Sequence, residues 1–456
     1  MNVLPLYAAL LPLLFGSVTA QSAGSYVAET HPSLTWSTCQ AGEATCSTTA
    51  GTVTLDANWR WIHSTTSTTN CFTGNTWNAV LCYDPTTCAA NCALDGANYA
   101  SDYNIITSGS NIRLSYITSN YGHGSRVFLL QDSATYQVFK PLNQEIAFTV
   151  DLSNVPCAAS ASVRLLGMDS DGGVSRFPAN SAGAKFGTGY CDATCTKSMK
   201  FVNGKANVIG WTPSNYDTTA GSGSSGSCCA EVDLLEGNSM SSVFTGLPCG
   251  GISAATTCTG STCGNSTSAG YCDPQGCDFN SYRMGNTSFW GSGATHAIDT
   301  TLPLTILTQF ITSNGTAAGD LTAIKRVYVQ NGKVIPNSAI NVAGIDPLNY
   351  LTDAVCTEEK TAFGDPNLFA SQGGLKQLGN SLRQGMVLSL SIWEDASSGL
   401  LWLDSNYPAT GSATTPGVAR GACPTSSGSI PEQPTPSVVF SNIKFGPIGS
   451  TYGYVG

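Results

Sequence analysis

Short β-prone runs separated by turn residues recur along the chain, and they limit what it can fold into. The clearest runs are 52–55, 112–117, 126–130, 145–152, 302–312, 387–393 and 438–445. The dipeptides Asn203-Gly204 and Asn331-Gly332 each join two such runs, which favours the type I′ turn of a hairpin. Helix is sparse, and the best candidate is 375–383, where leucines recur every three or four residues. The sequence therefore predicts an all-β fold, a large antiparallel β-sandwich with long loops and few short helices.

The chain contains 18 cysteines, an even number that fits nine disulfides formed in an oxidising compartment. Zinc is the alternative for Cys191 and Cys195 with Cys228 and Cys229. Adjacent cysteines are poor metal ligands, however, and the four histidines are scattered. We therefore expect a disulfide-rich protein with no metal and no cofactor.

Residues 1–20 have the features of a secretory signal. An apolar stretch at 3–15 precedes the small residues Val18 and Ala20, which form a cleavage site. A membrane anchor is the alternative, but the stretch is too short to span a bilayer. We expect a secreted, extracellular protein whose mature chain, 21–456, is one domain with no small cysteine-rich module. Its N-glycosylation sequons are Asn265, Asn286 and Asn314.

Charged residues make up only 11% of the chain, and the net charge is −10. This acidic balance argues against nucleic acid or an anionic membrane as a partner. A neutral polymer is a better match, and a monomer is expected.

Three carboxylates nevertheless occur within six residues, as Glu231, Asp233 and Glu236 beside two cysteines. On a strand, Glu231 and Asp233 point to one face, whereas Glu236 is an odd number of residues away. A bulge near Leu234-Leu235 would return Glu236 to that face. Three acids on one face repel, which raises the pKa of at least one of them. One ionised and one protonated carboxyl suit glycoside hydrolysis, while a solvated acidic turn is the alternative.

The sequence resembles glycoside hydrolase family 7, the cellobiohydrolases and endoglucanases with a concanavalin A-like β-jelly roll. The resemblance runs nearly from His31 to the C-terminus. It is carried by segments 56–61, 74–77, 168–173, 182–191, 201–204, 272–277, 285–289 and 441–449. The run Cys-Cys-x-Glu-x-Asp-x-x-Glu at 228–236 matches the catalytic strand of that family.

The resemblance implies a retaining mechanism on cellulose or another β-1,4-glucan. Glu231 would be the nucleophile, Glu236 the acid and then the base, and Asp233 a hydrogen-bonding partner of Glu231. Retention requires the two outer carboxyls to lie about 5–5.5 Å apart.

The resemblance also implies four disulfide pairs. They are Cys191–Cys229, Cys195–Cys228, Cys157–Cys423 and Cys277–Cys356.

Aromatic rings would form the substrate track, because a sugar stacks its C–H face on an indole. By resemblance the platforms would be Trp61, Trp59, Trp393 and Trp402, from the entrance to the product side. The residues that would hold the leaving-side sugars are Tyr407, Asp278, Arg283 and Arg420.

Several positions depart from the family pattern. Leu247 replaces a histidine that follows the catalytic strand, and Ser160 and Arg164 replace an asparagine and a tyrosine that face the cleft. Gln275 replaces an aspartate of the product site. The Cys263–Cys272 loop is short and lacks an arginine.

Loop lengths favour cellobiohydrolase-type action in a partly roofed cleft. The Gly/Ser-rich loop before Cys228 and the insertion 337–354 would both help to form the roof, whereas the short Cys263–Cys272 loop would open part of it. An endo-β-1,4-glucanase is the first alternative. A cellulose-binding relative with weakened catalysis is the second.

Overall fold

The computed structural model describes residues 21–41, 45–118, 123–428 and 435–452. The predicted signal at 1–20 lies outside the described residues. Two large sheets face each other, and both consist almost entirely of antiparallel strands. The predicted all-β sandwich is therefore confirmed.

The sheet that carries the acidic run, called the inner sheet below, has eight strands. Seven follow in the order Cys277–Asn280, Ser242–Leu247, Glu231–Gly237, Ser160–Leu166, Met386–Trp393, Ser125–Leu130 and Thr52–Leu55. Val138–Phe139 pairs beside Met386–Trp393.

The facing sheet, called the outer sheet, has ten strands. Its main path is Lys333–Pro336, Leu321–Gln330, Leu304–Thr312, Gln144–Asp151, Ser437–Pro447, Asn111–Ser115 and Ile106–Ser108. Trp36–Cys39, Cys46–Thr49 and Tyr350–Leu351 complete it. Side chains from both sheets form one hydrophobic core, represented by Leu165 and Val232 on one side and Phe148 and Ile306 on the other.

Smaller sheets are built from loops around the sandwich. Ser22–Ala23, Ile62–Ser64 and Cys92–Leu94 form a three-stranded sheet. Two-stranded pairs are Phe72–Thr73 with Thr76–Trp77, Phe201–Val202 with Lys205–Ala206, Thr212–Pro213 with Gly221–Ser222, Ser225–Cys228 with Thr256–Thr259, and Trp290–Gly291 with Ile298–Asp299. Both hairpins predicted from Asn-Gly dipeptides are present.

The α-helices are Pro85–Asn91, Tyr99–Tyr103, Asp353–Phe363, Leu368–Ser371, Gly374–Gln384 and Leu401–Asp404. Short 3₁₀ turns are Ala57–Trp59, Ala184–Phe186 and Gly260–Cys263. The helix predicted at 375–383 is Gly374–Gln384, and its three leucines are fully buried. In the described parts of the chain, no helix combines the length and the hydrophobicity needed to cross a bilayer.

All 18 cysteines form nine disulfides, and the four predicted pairs are among them. Some of their sulfur atoms lie close enough together to hold a metal. Each of those cysteines is oxidised, so it offers no thiolate to an ion.

Candidate active site

The strand Glu231–Gly237 contains the bulge that the acid spacing predicts. Toward one neighbour, Asp233 pairs with Thr245 and Glu236 with Val243, so two leucines oppose one phenylalanine. Toward the other, the register shifts between Val163 and Arg164. The extra residue restores the side-chain face, because a bulge inserts one position into the alternation.

Because of the bulge, Leu234 has no register partner on either neighbouring strand. Arg326, from the outer-sheet strand Leu321–Gln330, donates its Nη2 hydrogen to the carbonyl of Leu234. The guanidinium also lies over the ring of Phe244, 4.3 Å from its centroid. The outer sheet therefore supports the bulged segment from across the sandwich.

Glu231, Asp233 and Glu236 all line one cleft of about 1000 Å³. Each is at most 5% exposed. The leucines between them point into the hydrophobic core. The predicted return of Glu236 to the face of the other two acids is confirmed.

Arg164 contacts all three acids. Its Nη1 lies 3.2 Å from Glu231 Oε1, its Nε lies 3.3 Å from Asp233 Oδ1, and its Nη2 forms a short bond to Glu236 Oε1. The contact with Asp233 is an ion pair that is not aligned as a hydrogen bond. One guanidinium therefore bridges the two glutamates and neutralises part of the charge between them.

Burial, followed by the charges of Glu231 and Glu236, raises the pKa of Asp233 well above its ordinary value. Arg164 opposes this shift, and a hydrogen bond with Glu231 adds to it. A protonated Asp233 can donate that hydrogen bond. The raised pKa expected from three clustered acids is thus found at Asp233, the middle acid of the three.

A disulfide-bonded loop holds Glu231 from the other side. The backbone N–H of Ala193 donates to Glu231 Oε2 over 2.9 Å. The Cys191–Cys229 and Cys195–Cys228 bridges fasten this loop to the residues just before the strand Glu231–Gly237. The adjacent Asp192 has a pKa raised by burial and by Glu231, and it accepts a hydrogen bond from Tyr190.

Leu247 lies directly across from Glu231 on the neighbouring strand and lines the cleft. Its aliphatic side chain has no hydrogen-bonding group. Arg164 and Leu247 thus make the surroundings of the acids more cationic and less polar than the family pattern implies.

Three of the four predicted tryptophan platforms line the cleft. Trp59, Trp393 and Trp402 are partly exposed there. The rings of Trp393 and Trp402 lie 6.3 Å apart, and Ser162 accepts the indole N–H of Trp393 over 2.7 Å. Arg126 lies over Trp59, 5.1 Å from its centroid.

Trp61 is also partly exposed, but it does not line this cleft. Its ring packs 4.3 Å from His63, and its indole N–H donates to Asn70 over 2.7 Å. Its role as an entrance platform stays a prediction.

The four predicted leaving-side residues all line the opposite end of the cleft. Arg283 bonds Asp278 over 2.7 Å, and the guanidinium of Arg420 lies 5.6 Å from the ring centroid of Tyr407. Sequence reasoning did not include Lys360, which also lines this end.

Two loops contribute to the lining of the cleft. The hairpin 212–222 contributes Tyr216 and Asp217, and the segment 394–397 contributes all four of its residues. Asn75 fastens the hairpin by donating to the carbonyls of Ser214 and Asp217. The insertion 337–354 does not line the cleft but bonds back to Met284, so the expected contribution of this insertion to the roof is not seen.

Arg164 was noted in the sequence only as a departure. The alternation of Ser160, Ser162 and Arg164 with apolar residues could have shown that these side chains share one face of a strand. The contacts with all three acids could not be derived, because they depend on the register of two neighbouring strands.

Comparison with known proteins identifies the relatives of this chain. Residues 23–452 match the model of Glycosyl hydrolase family 7. A cellobiohydrolase of that family from Daphnia pulex is 45% identical, with a TM-score of 0.91, over 94% of this chain and all of that one.

Two other solved structures extend the comparison. A cellobiohydrolase from Melanocarpus albomyces, complexed with cellotetraose, is 40% identical over 95% of this chain and all of that one, with a TM-score of 0.88. The Humicola insolens endocellulase EGI is 30% identical over 94% and 100%, with a TM-score of 0.80. A family match of this extent, on a β-sandwich with a cleft of clustered acids, shows that the chain belongs to glycosyl hydrolase family 7.

Proposed function

We propose that this protein is a retaining β-1,4-glucanase that hydrolyses cellulose in the manner of a cellobiohydrolase. The observation that carries this proposal is the bulged strand, which presents Glu231 and Glu236 to one cleft flanked by partly exposed tryptophans. Paired carboxyls perform glycoside hydrolysis, and aromatic faces bind sugar rings.

In the first step, Glu231 attacks the anomeric carbon while Glu236 gives its proton to the departing glycosidic oxygen. The products are a glycosyl-enzyme ester and a shortened chain. In the second step, Glu236 removes a proton from water, whose oxygen displaces Glu231. A protonated Asp233 donates a hydrogen bond that holds Glu231, and Ala193 N–H holds its other oxygen.

The cleft walls and the relatives support cellobiohydrolase-type action. The fastened hairpin 212–222 can cover a bound chain and keep it from leaving sideways. Identity is higher to the two cellobiohydrolases than to the endocellulase. Structures of relatives include complexes with cellotetraose and cellobiose, consistent with a β-1,4-glucan ligand here.

The proposal includes secretion of the mature protein. Nine disulfides and the signal predicted at 1–20 support secretion. We infer one catalytic domain at 21–456, acting as a monomer outside the cell.

The roles of the two glutamates are tested with dinitrophenyl β-cellobioside and azide. Glu236→Gln should still form the glycosyl-enzyme, because this leaving group needs no proton, and azide should then give the β-azide. Glu231→Ala leaves space beside the anomeric carbon, so azide should give the α-azide.

On cello-oligosaccharides, each variant should lose about 10²–10⁴-fold in kcat. Glu358→Gln, the same substitution on a helix outside the cleft, is the matched control. NMR of the first product formed by the wild type shows whether the anomeric configuration is retained. Inversion would exclude the proposed roles of the two glutamates.

Products from amorphous cellulose test the mode of attack. Mainly cellobiose from the start supports exo action, whereas a spread of longer oligomers supports the endoglucanase alternative.

A second candidate function is a β-glucan-binding protein with little turnover. The ion pairs from Arg164 to both glutamates favour it, because an acid held in an ion pair must lose that contact before it donates a proton. Equal, negligible turnover by wild type and Glu231→Gln, with retained binding of cellohexaose, would select this candidate.

A further inference from the structure

Three cationic side chains, Arg283, Lys360 and Arg420, line the leaving end of the cleft. Each nitrogen of the Arg283 guanidinium has a partner. Its Nη1 bonds Asp278 over 2.7 Å and Glu359 over 3.1 Å. Its Nη2 bonds Asp365 over 2.7 Å, and its Nε bonds a backbone carbonyl.

The other two cations have unused donors. The ammonium of Lys360 is 3.7 Å from Glu359 Oε1, beyond hydrogen-bond distance, although its side chain is only 3% exposed. Arg420 makes one long bond from Nη1 to a backbone carbonyl, 3.4 Å, and its Nε has no partner among the described residues. Buried donors without partners carry a desolvation cost that a suitable acceptor would remove.

Acidic side chains lie among these cations. Burial opposes ionisation of Asp278, but Arg283, Lys360 and Arg420 together lower its pKa far below the ordinary value. Burial and the charge of Asp278 raise the pKa of Glu359 well above its ordinary value. This raised pKa makes Glu359 a weaker counterion for Lys360, from which it is already separated by 3.7 Å.

We propose that the leaving end of the cleft binds a sugar carboxylate, with Lys360 and Arg420 as its donors. This inference rests on the proposed function, in which the leaving portion carries the reducing end of the chain. A β-1,4-glucan whose terminal aldehyde has been oxidised to an aldonate places a carboxylate there. A glucuronate residue is the other source of the same group.

Charge-assisted hydrogen bonds are about twice as strong as neutral ones, and the Lys360 side chain is only 3% exposed. An acidic disaccharide should therefore bind about tenfold more tightly than cellobiose. The preference should weaken as salt increases, because screening reduces the attraction between charges.

The test is calorimetric titration of the whole protein with cellobiose, with cellobionate and with glucuronosyl-β-1,4-glucose, above the carboxyl pKa. The wild type should prefer cellobionate if the carboxylate lies at C1, and the uronate if it lies at C6. Lys360→Gln should abolish the preference, and Lys360→Arg should restore it. Lys376→Gln, an exposed lysine paired with Asp320, is the matched control.

Cellobiose binding separates the two proposals. Equal Kd values for all three sugars would overturn the carboxylate site but leave the glucanase proposal standing. A preference that survives in a folded Lys360→Gln protein, verified by its thermal transition, would also overturn it. If none of the three sugars bound, both the carboxylate site and the glucanase proposal would be overturned.

Discussion

Arg326 on the outer sheet donates a hydrogen bond to the carbonyl of Leu234 at the bulge of the catalytic strand. It has no acidic partner among the described residues, and burial lowers its pKa. A buried cation therefore supports the one backbone irregularity that brings Glu236 to the face of Glu231.

Replacing Arg326 with Met should relax the bulge. The Leu234 carbonyl would lose its partner, at a cost of about 1–3 kcal/mol in the free energy of unfolding, partly offset because a buried charge is removed. Denaturant titration and kinetics on cello-oligosaccharides should show a lower kcat with little change in KM. Arg326→Lys, which retains a donor, should lose less, and equal kcat in all three proteins would contradict this prediction.

Replacing Arg164 with Gln should move the pH profile of kcat/KM toward higher pH by about one unit. Arg164 lowers the pKa of Asp233, so its removal favours the protonated form of that acid. Hydrolysis of an aryl cellobioside as a function of pH measures the shift. Arg176→Gln, at an exposed ion pair, is the control, and superimposable profiles would refute the role of the guanidinium.

Removing the Cys195–Cys228 bridge with two alanines should release the loop that holds Glu231. This bridge closes 33 residues, so its loss should cost about 4 kcal/mol. The N–H of Ala193 would no longer be fixed. We therefore expect kcat to be lower even at temperatures below the unfolding transition, where the protein is folded. Removal of Cys39–Cys46, which lies on the outer sheet, should affect stability without lowering kcat in the folded protein.

Asp233→Asn should stabilise the protein at neutral pH while lowering its activity. The folded-state pKa of Asp233 is raised, so the wild-type residue increasingly opposes folding as the pH rises above its unfolded value of about 4. We expect a gain of at least about 1 kcal/mol at pH 7, disappearing near pH 3. A gain that did not depend on pH would point to a cause other than this titration.

Glu29 should contribute to stability through Arg60, the residue between Trp59 and Trp61. Burial opposes ionisation of Glu29, but bonds from His31 and Arg60 lower its pKa from 4.5 to about 2. Its contribution, about 3 kcal/mol, is therefore complete above about pH 4.5 and is lost as the pH falls toward 2. Glu29→Gln should be less stable than wild type at pH 6, and the two should converge in acid unfolding curves near pH 2.

The sequence predicted features that depend on local pattern. The strands, both Asn-Gly hairpins and the bulge at Leu234-Leu235 follow from alternation and spacing. The family resemblance added the disulfide pairs. The helix Asp353–Phe363 does not show in the hydrophobic pattern because two of its four buried residues, Glu359 and Lys360, are charged, although Thr352 and Gly364 cap its ends.

Features that depend on long side chains reaching across strands could not be predicted. The contacts of Arg164 require the shifted registers of two strand pairs, and the bond from Arg326 crosses the sandwich. The position of a loop could not be predicted from its length either. The insertion 337–354 is long enough to cover a cleft, but its backbone bonds to Met284 instead.

The bulge makes the interval between Glu231 and Glu236 a question of parity. In an ordinary strand, an odd interval sends two side chains to opposite faces, so this pair can cooperate only while one surplus residue stays between them. Deleting Leu234 or Leu235 would turn Glu236 toward the hydrophobic core, although every acidic residue would still be present. Length, as much as chemistry, therefore encodes this cleft.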